Sequence, residues 1–377
     1  MSPRTDPARR CRKVDEWPEA DRLAWERALQ PSRLLTERRS AAARWRPETR
    51  HKNRRGYGRW ITFLVTSGRG TNGHPAERVT PDALEAYIEE LRQQGVSLWT
   101  QRNRVAELLA SIRAIGPQQD WGWLSAILND LEWQAREAYE PPMPELLTPD
   151  VLARCLDELA AIEAVANPPG NKLAIRHLDW LMLALMAATG LRRGNFAAIT
   201  LDRHLRETSS GSLIVFDRSE TKTHRRAEHP VPSYLETHLR TYIAVYRPLL
   251  LGTKSSDRLW LSIRGNPMDG HGVYLRITEL CQKAFGAPLN PHAFRSIGAT
   301  TVAILAPEEI GAVPAFLQHT NPKTSEEYYL RASSMAVGRR YGDTIRELRR
   351  SLPPPPEWNI RPRARRRHRG KETLNGK

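Results

Sequence analysis

Cysteine is scarce in this chain: Cys11, Cys155 and Cys281 are odd in number, far apart and never in C-x-x-C spacing. That excludes a disulfide framework and a cysteine zinc site, and it fits a reducing cytoplasm. Long apolar runs are also missing. The longest, Trp180 to Ala188, falls far short of the roughly 20 residues that a membrane span needs, so it reads as a buried core helix. The first 22 residues are broken by charge and proline and hold no apolar core, which excludes a secretory signal. The glycine-rich TSGRGTNGH stretch at 66–74 lacks the lysine and hydroxyl ending of a phosphate-binding loop and reads as a plain loop. His224 and His229 could in principle ligate a metal, yet with Arg225 and Arg226 between them they suit phosphate contacts or a solvated surface better. No metal and no cofactor are expected.

What the chain has in excess is positive charge. Its 377 residues carry 58 lysines and arginines against 42 acidic residues, a net +16, with a pI near 10.2. A polyanionic partner follows, and nucleic acid is the usual one. Residues 361–377 hold eight of the basic side chains and one acidic one, so +7 sits in the tail. The remaining +9 belongs to the body, and the inference survives.

The length suits two domains. Residues 1–39 form an ill-defined extension with one helix near 20–29 carrying Leu23, Trp25 and Leu29. Residues 40–140 read as four or five helices. The first sets Tyr57, Trp60, Ile61, Phe63 and Leu64 on one stripe, while Arg50, Lys52, Arg54, Arg55 and Arg59 crowd the opposite and preceding faces as DNA-contact candidates. Thr80-Pro81-Asp82 caps another, and Ser97 or Thr100 starts the next. A last helix at 121–138 carries Leu124, Ile127, Leu131 and Trp133. Residues 141–147 are a proline-rich linker. From 148 to 352 a second, mainly helical domain contains one clear strand, 212–216, and the end of its return partner at 229–232, so Lys222 falls in or near the connecting turn. Residues 353–377 read as a solvated basic arm. The fold class is mainly α with a small β-hairpin.

Three local boxes remain. TGLRRGNFAAIT (189–200) ends an apolar helix with Arg192, PHAFRSIGATT (291–301) pairs His292 with Arg295, and LQHTNPKTSEEYY (317–329) sets His319 nine residues before Tyr328. In order and interval these boxes resemble those of the tyrosine recombinase or phage integrase family. The resemblance covers 147–328 as a catalytic domain of α+β type, and more loosely 40–138 as a helical, SAM-like core-binding domain.

The resemblance implies a site-specific DNA recombinase that needs no cofactor. Arg192 and Arg295 would bind the non-bridging oxygens of the scissile phosphate, since guanidinium forks match them bidentately and never lose charge. Lys222 would protonate the leaving 5′ oxygen, with Arg225 and Arg226 nearby as DNA contacts. His292 would take the tyrosine proton, and His319 would hydrogen-bond the phosphate. Tyr328 would attack to form a covalent phosphotyrosine, with the adjacent Tyr329 as rival and the nine-residue interval favouring Tyr328. Asn195 stands where the family often has an acidic residue. Also implied are inverted-repeat sites in double-stranded DNA, a homotetramer that could include other recombinase subunits, no membrane, and a helix after Tyr328 that couples neighbouring subunits. Two other readings stay open, a catalytically silent DNA-binding accessory and relaxation of the type IB topoisomerase kind.

Overall fold

In a computed structural model of the chain, residues 6–31, 41–139, 146–165, 169–317 and 341–351 are described. They form two compact units, which divide between Pro142 and Met143.

The first unit is helical: α1 (Glu19–Leu29), α2 (Pro47–Thr66), α3 (Pro81–Gln93), α4 (Leu98–Ile115) and α5 (Gly122–Glu137). Its boundaries follow local chemistry. The Thr80 hydroxyl accepts from Ala83 N at the start of α3, and Ser97 does the same for Thr100 N at α4, each satisfying an orphan amide of a first turn. The apolar stripe of α2 is fully buried against α3 and α4. Residues 6–31 are not a loose extension, because Trp17 and Trp25 enter this same core and pack edge-on at 5.5 Å. Asp21 on α1 is fully buried and accepts from Tyr57 Oη at 2.7 Å and Arg78 Nη2 at 2.5 Å. Leu23 and Trp133, assigned to apolar faces from the sequence, are exposed instead.

The second unit is built on α6 (Thr148–Glu163) packed along α7 (Asn171–Thr189), whose apolar run from Trp180 to Ala187 is buried in the core. A short α8 (Arg193–Ala198) follows, and then a three-stranded antiparallel sheet, β1 (Leu205–Thr208), β2 (Gly211–Phe216) and β3 (Ala227–Pro230), in the order β1-β2-β3. Ile214 pairs with Leu205 on one side and His229 on the other. β1 escaped the sequence reading because its Leu-Arg-Glu-Thr is a largely exposed edge without alternation. Next come α9 (Ser233–Thr241), a π-helical turn (Tyr242–Tyr246), α10 (Arg247–Leu251), α11 (Gly270–Phe285), α12 (Ala293–Leu305) and α13 (Val313–Phe316). Residues 341–351 are helical, with Tyr341, Ile345 and Leu348 exposed. Among the described residues no helix is long and apolar enough to cross a membrane.

Candidate active site

Four of the six residues expected to act on a phosphodiester line one cleft. Arg192, Lys222, His292 and Arg295 share it with Arg193, Gly194, Tyr274, Asn290 and Pro291, in a volume of about 600 Å³. The lining contains four cationic side chains and no carboxylate. His319, Tyr328 and Tyr329 lie outside the described residues.

Each side chain arrives there for a local reason. α7 stops at Gly190, whose φ of 56° is left-handed and therefore suited to glycine. The reversal leaves Arg192 as the N-cap residue of α8. Asn290 Oδ1 accepts from the backbone N–H groups of His292 (2.9 Å) and Ala293 (3.3 Å), which starts α12 and fixes His292 at its mouth. Arg295, in the first turn of α12, is only 6% exposed. Its guanidinium donates to the carbonyls of Gly190 (Nη1, 2.5 Å) and Leu317 (Nη2).

Lys222 stands exposed on the turn between β2 and β3, whose base is held firmly. Thr221 is buried and exchanges hydrogen bonds with Arg225, accepting from its N–H at 3.1 Å and donating to its carbonyl at 2.7 Å. Glu220 accepts the amide of Asp217 at 2.9 Å and contacts the His204 ring at 3.1 Å. Asn195 of α8 reaches the Glu220 carbonyl at 3.4 Å, which ties the first arginine box to the lysine turn. His224, the one non-glycine residue with positive φ among those described, sits at the tip at 54°. Arg225 and Arg226 are exposed beside it, and Arg226 pairs with Glu228 at 2.7 Å.

Burial, and then charge crowding, sets the protonation of the cleft. Burial first, and then repulsion from Arg192, lowers Arg295 to about 10, which leaves it charged. Burial lowers Arg192 in the same direction. His292 is held below the ordinary histidine range by burial and then by Arg295 and Arg192, although its outer edge meets solvent. The imidazole is therefore neutral at pH 7 and able to accept a proton.

His229 is the residue that the sequence reading undervalued. It is 5% exposed on β3, its ring lies 6.4 Å from Phe316, and burial, then Arg295 and Arg192, lowers it to about 4. The burial alternation of β3, in which Ala227 and His229 point inward, is the signal that could have found it.

In the first unit, Arg50, Lys52, Arg54 and Arg55 project from α2 into solvent, whereas Arg59 is half-buried beside Glu107 at 3.8 Å. Arg50 and Arg54 border a cleft of about 600 Å³ with Trp45 and His51.

The model of the phage integrase family matches residues 147–335, which include both arginines, the lysine turn and the closing box. The chain belongs to the phage integrase family. Curated relatives include tyrosine recombinase XerD of Staphylococcus saprophyticus, 24% identical over 70% of this chain and 92% of that protein. The XerD of Halalkalibacterium halodurans is 24% identical over 67% and 78%. A solved XerA recombinase matches at 18% identity over 76% of this chain and 88% of its own, with a TM-score of 0.37. The family-matched unit is thus that of a tyrosine recombinase, an enzyme that acts on DNA by breaking and rejoining strands.

Proposed function

We propose that this recombinase cleaves one DNA strand at a time, with Tyr328 as nucleophile and a covalent 3′-phosphotyrosine as intermediate. The observation that carries the reading is a cleft that brings four cationic side chains together with no carboxylate and sets His292 at its mouth. As the phenolic oxygen attacks phosphorus, charge grows on the two non-bridging oxygens, and Arg192 and Arg295 neutralise it with planar forks. His292 takes the phenolic proton as the P–O bond forms. Lys222 gives a proton to the 5′ oxygen as the old P–O bond breaks, so that a hydroxyl leaves rather than an alkoxide. His319 hydrogen-bonds the phosphate. The phosphotyrosine keeps the bond energy, and the free 5′ hydroxyl of a partner strand reverses the steps.

The α2 arginines and lysine, with Arg225 and Arg226, are assigned to backbone phosphates flanking the site. A homotetramer acting on two inverted-repeat sites would expose the apolar face of residues 341–351 to a neighbouring subunit. A cytoplasmic, nucleoid-associated location follows from the DNA substrate.

The test is a nicked suicide duplex, from which the 5′ fragment diffuses away and traps the adduct. Wild type should give a protein–DNA species stable to denaturant, and Tyr328→Phe none. An adduct that persists undiminished in Tyr328→Phe and vanishes in Tyr329→Phe would move the nucleophile to Tyr329. Binding without any adduct would instead favour the silent accessory.

A further inference from the structure

Far along α7 from the cleft, three potential ligands converge from three helices: Glu163 at the end of α6, His177 in the first half of α7, and His238 on α9. Glu163 Oε1 lies 2.7 Å from His177 Nε2 and 2.9 Å from His238 Nδ1. The three donor atoms all fall within 4.8 Å of one another.

We propose that Glu163, His177 and His238 form a binding site for a divalent cation of the zinc class. Two imidazole nitrogens and one carboxylate oxygen are a borderline-soft set suited to zinc, with a fourth position left for water. The neighbouring distances are close to the roughly 3.3 Å between ligands that tetrahedral zinc bonds of about 2.0 Å require, so small side-chain movements suffice. Position is already fixed on one side: the fully buried His177 ring stacks on Tyr246 at a centroid distance of 4.2 Å. Glu163 and His238 are partly exposed at 22% and 16%, which gives an ion and its water a way in.

One feature limits affinity. Among the described residues His177 Nδ1 is buried with no hydrogen-bond partner, so with Nε2 on a metal its proton would lack the usual outer acceptor. Loss of such a partner weakens metal sites by about 10- to 100-fold. Bound there, the ion would join α6, α7 and α9.

The experiment uses the full chain, stripped with chelator and titrated with zinc chloride by calorimetry, with cobalt(II) absorption as a report of four-coordinate geometry. One ion per chain, with visible cobalt bands, is expected. Glu163→Gln and the surface-edge variant His238→Gln should each weaken binding at least 10-fold while remaining folded by circular dichroism. Absence of binding at 100 μM zinc, or stoichiometry and affinity unchanged in both folded variants, would overturn the site and leave a hydrogen-bonded triad only. Neither result bears on the recombination chemistry.

Discussion

Arg295 donates to the carbonyl of Gly190 at 2.5 Å, so the second arginine of the cleft is fastened to the turn that delivers the first. The same guanidinium reaches the Leu317 carbonyl, two residues ahead of His319. A guanidinium has five N–H donors in a plane, enough to hold two carbonyls and still face a phosphate.

A lysine cannot do this, because its single ammonium has no fork. Arg295→Lys should therefore reduce single-turnover cleavage by about 10²- to 10³-fold, the scale for losing one donor to a developing oxyanion. Gly190→Ala attacks the relationship from the other end. The left-handed φ costs an alanine about 1–2 kcal/mol, and its Cβ would meet Leu317 Cδ2 at 2.8 Å. A melting temperature lowered by several degrees, with cleavage reduced in parallel, is the expected outcome. Alanine tolerated at both levels would show the turn to be incidental.

His229 sets a pH limit on the DNA-free protein. Its folded value is lowered to about 4, by burial and then by Arg295 and Arg192. Between the unfolded value near 6.5 and about 4, the unfolded chain binds a proton that the folded one refuses. Stability from this residue is thus present above about pH 6.5 and is lost as pH falls, by about 1.4 kcal/mol per unit within that window. His229→Gln should flatten the denaturation midpoint between pH 6.5 and 4 relative to wild type. Parallel pH profiles for the two proteins would contradict the assignment.

Much of this organisation was legible in the sequence because it rests on local rules. The stripe of α2, the cap at Thr80 and the stop at Gly190 are set by residues within a few positions, and each element formed where its pattern pointed. Arg192, Lys222, His292 and Arg295 stand out in the sequence by order and interval, and the fold brings them to one cleft. The misses are non-local. Trp17 and Trp25 reach their core through tertiary contact that no short window signals, and His229 gains importance from arginines 37 and 66 positions away. Trp133 looked like core by spacing alone, but nothing in the first unit covers it among the described residues.

The α2 cations should report themselves through salt. Arg50, Lys52, Arg54 and Arg55 are exposed and Arg59 leans on Glu107. If each of the four contacts one phosphate, its replacement by glutamine lowers the slope of log K against log salt by about 0.9. Affinity would weaken about equally across DNA sequences, since phosphates carry no sequence information. Arg59→Gln should change the slope less and stability more, because its loss leaves a buried Glu107 with Arg104 as its remaining partner. Equal slopes for Arg55→Gln and wild type would remove Arg55 from the DNA face.

Lys222 permits a chemical test of its assigned proton. If its ammonium protonates the 5′ oxygen, Lys222→Ala should slow cleavage by about 10²- to 10⁴-fold, the usual scale of general acid catalysis. That loss alone would not separate proton donation from simple charge. A substrate with sulfur in place of the bridging 5′ oxygen does separate them, because a thiolate is a far weaker base than an alkoxide and leaves without a proton. On that substrate Lys222→Ala should regain most of the wild-type rate, whereas Arg192→Ala, which removes charge stabilisation, should stay slow. A lysine variant that remains slow on the sulfur substrate would reassign Lys222 to phosphate binding and turn attention to Arg225 and Arg226, exposed on the same hairpin turn.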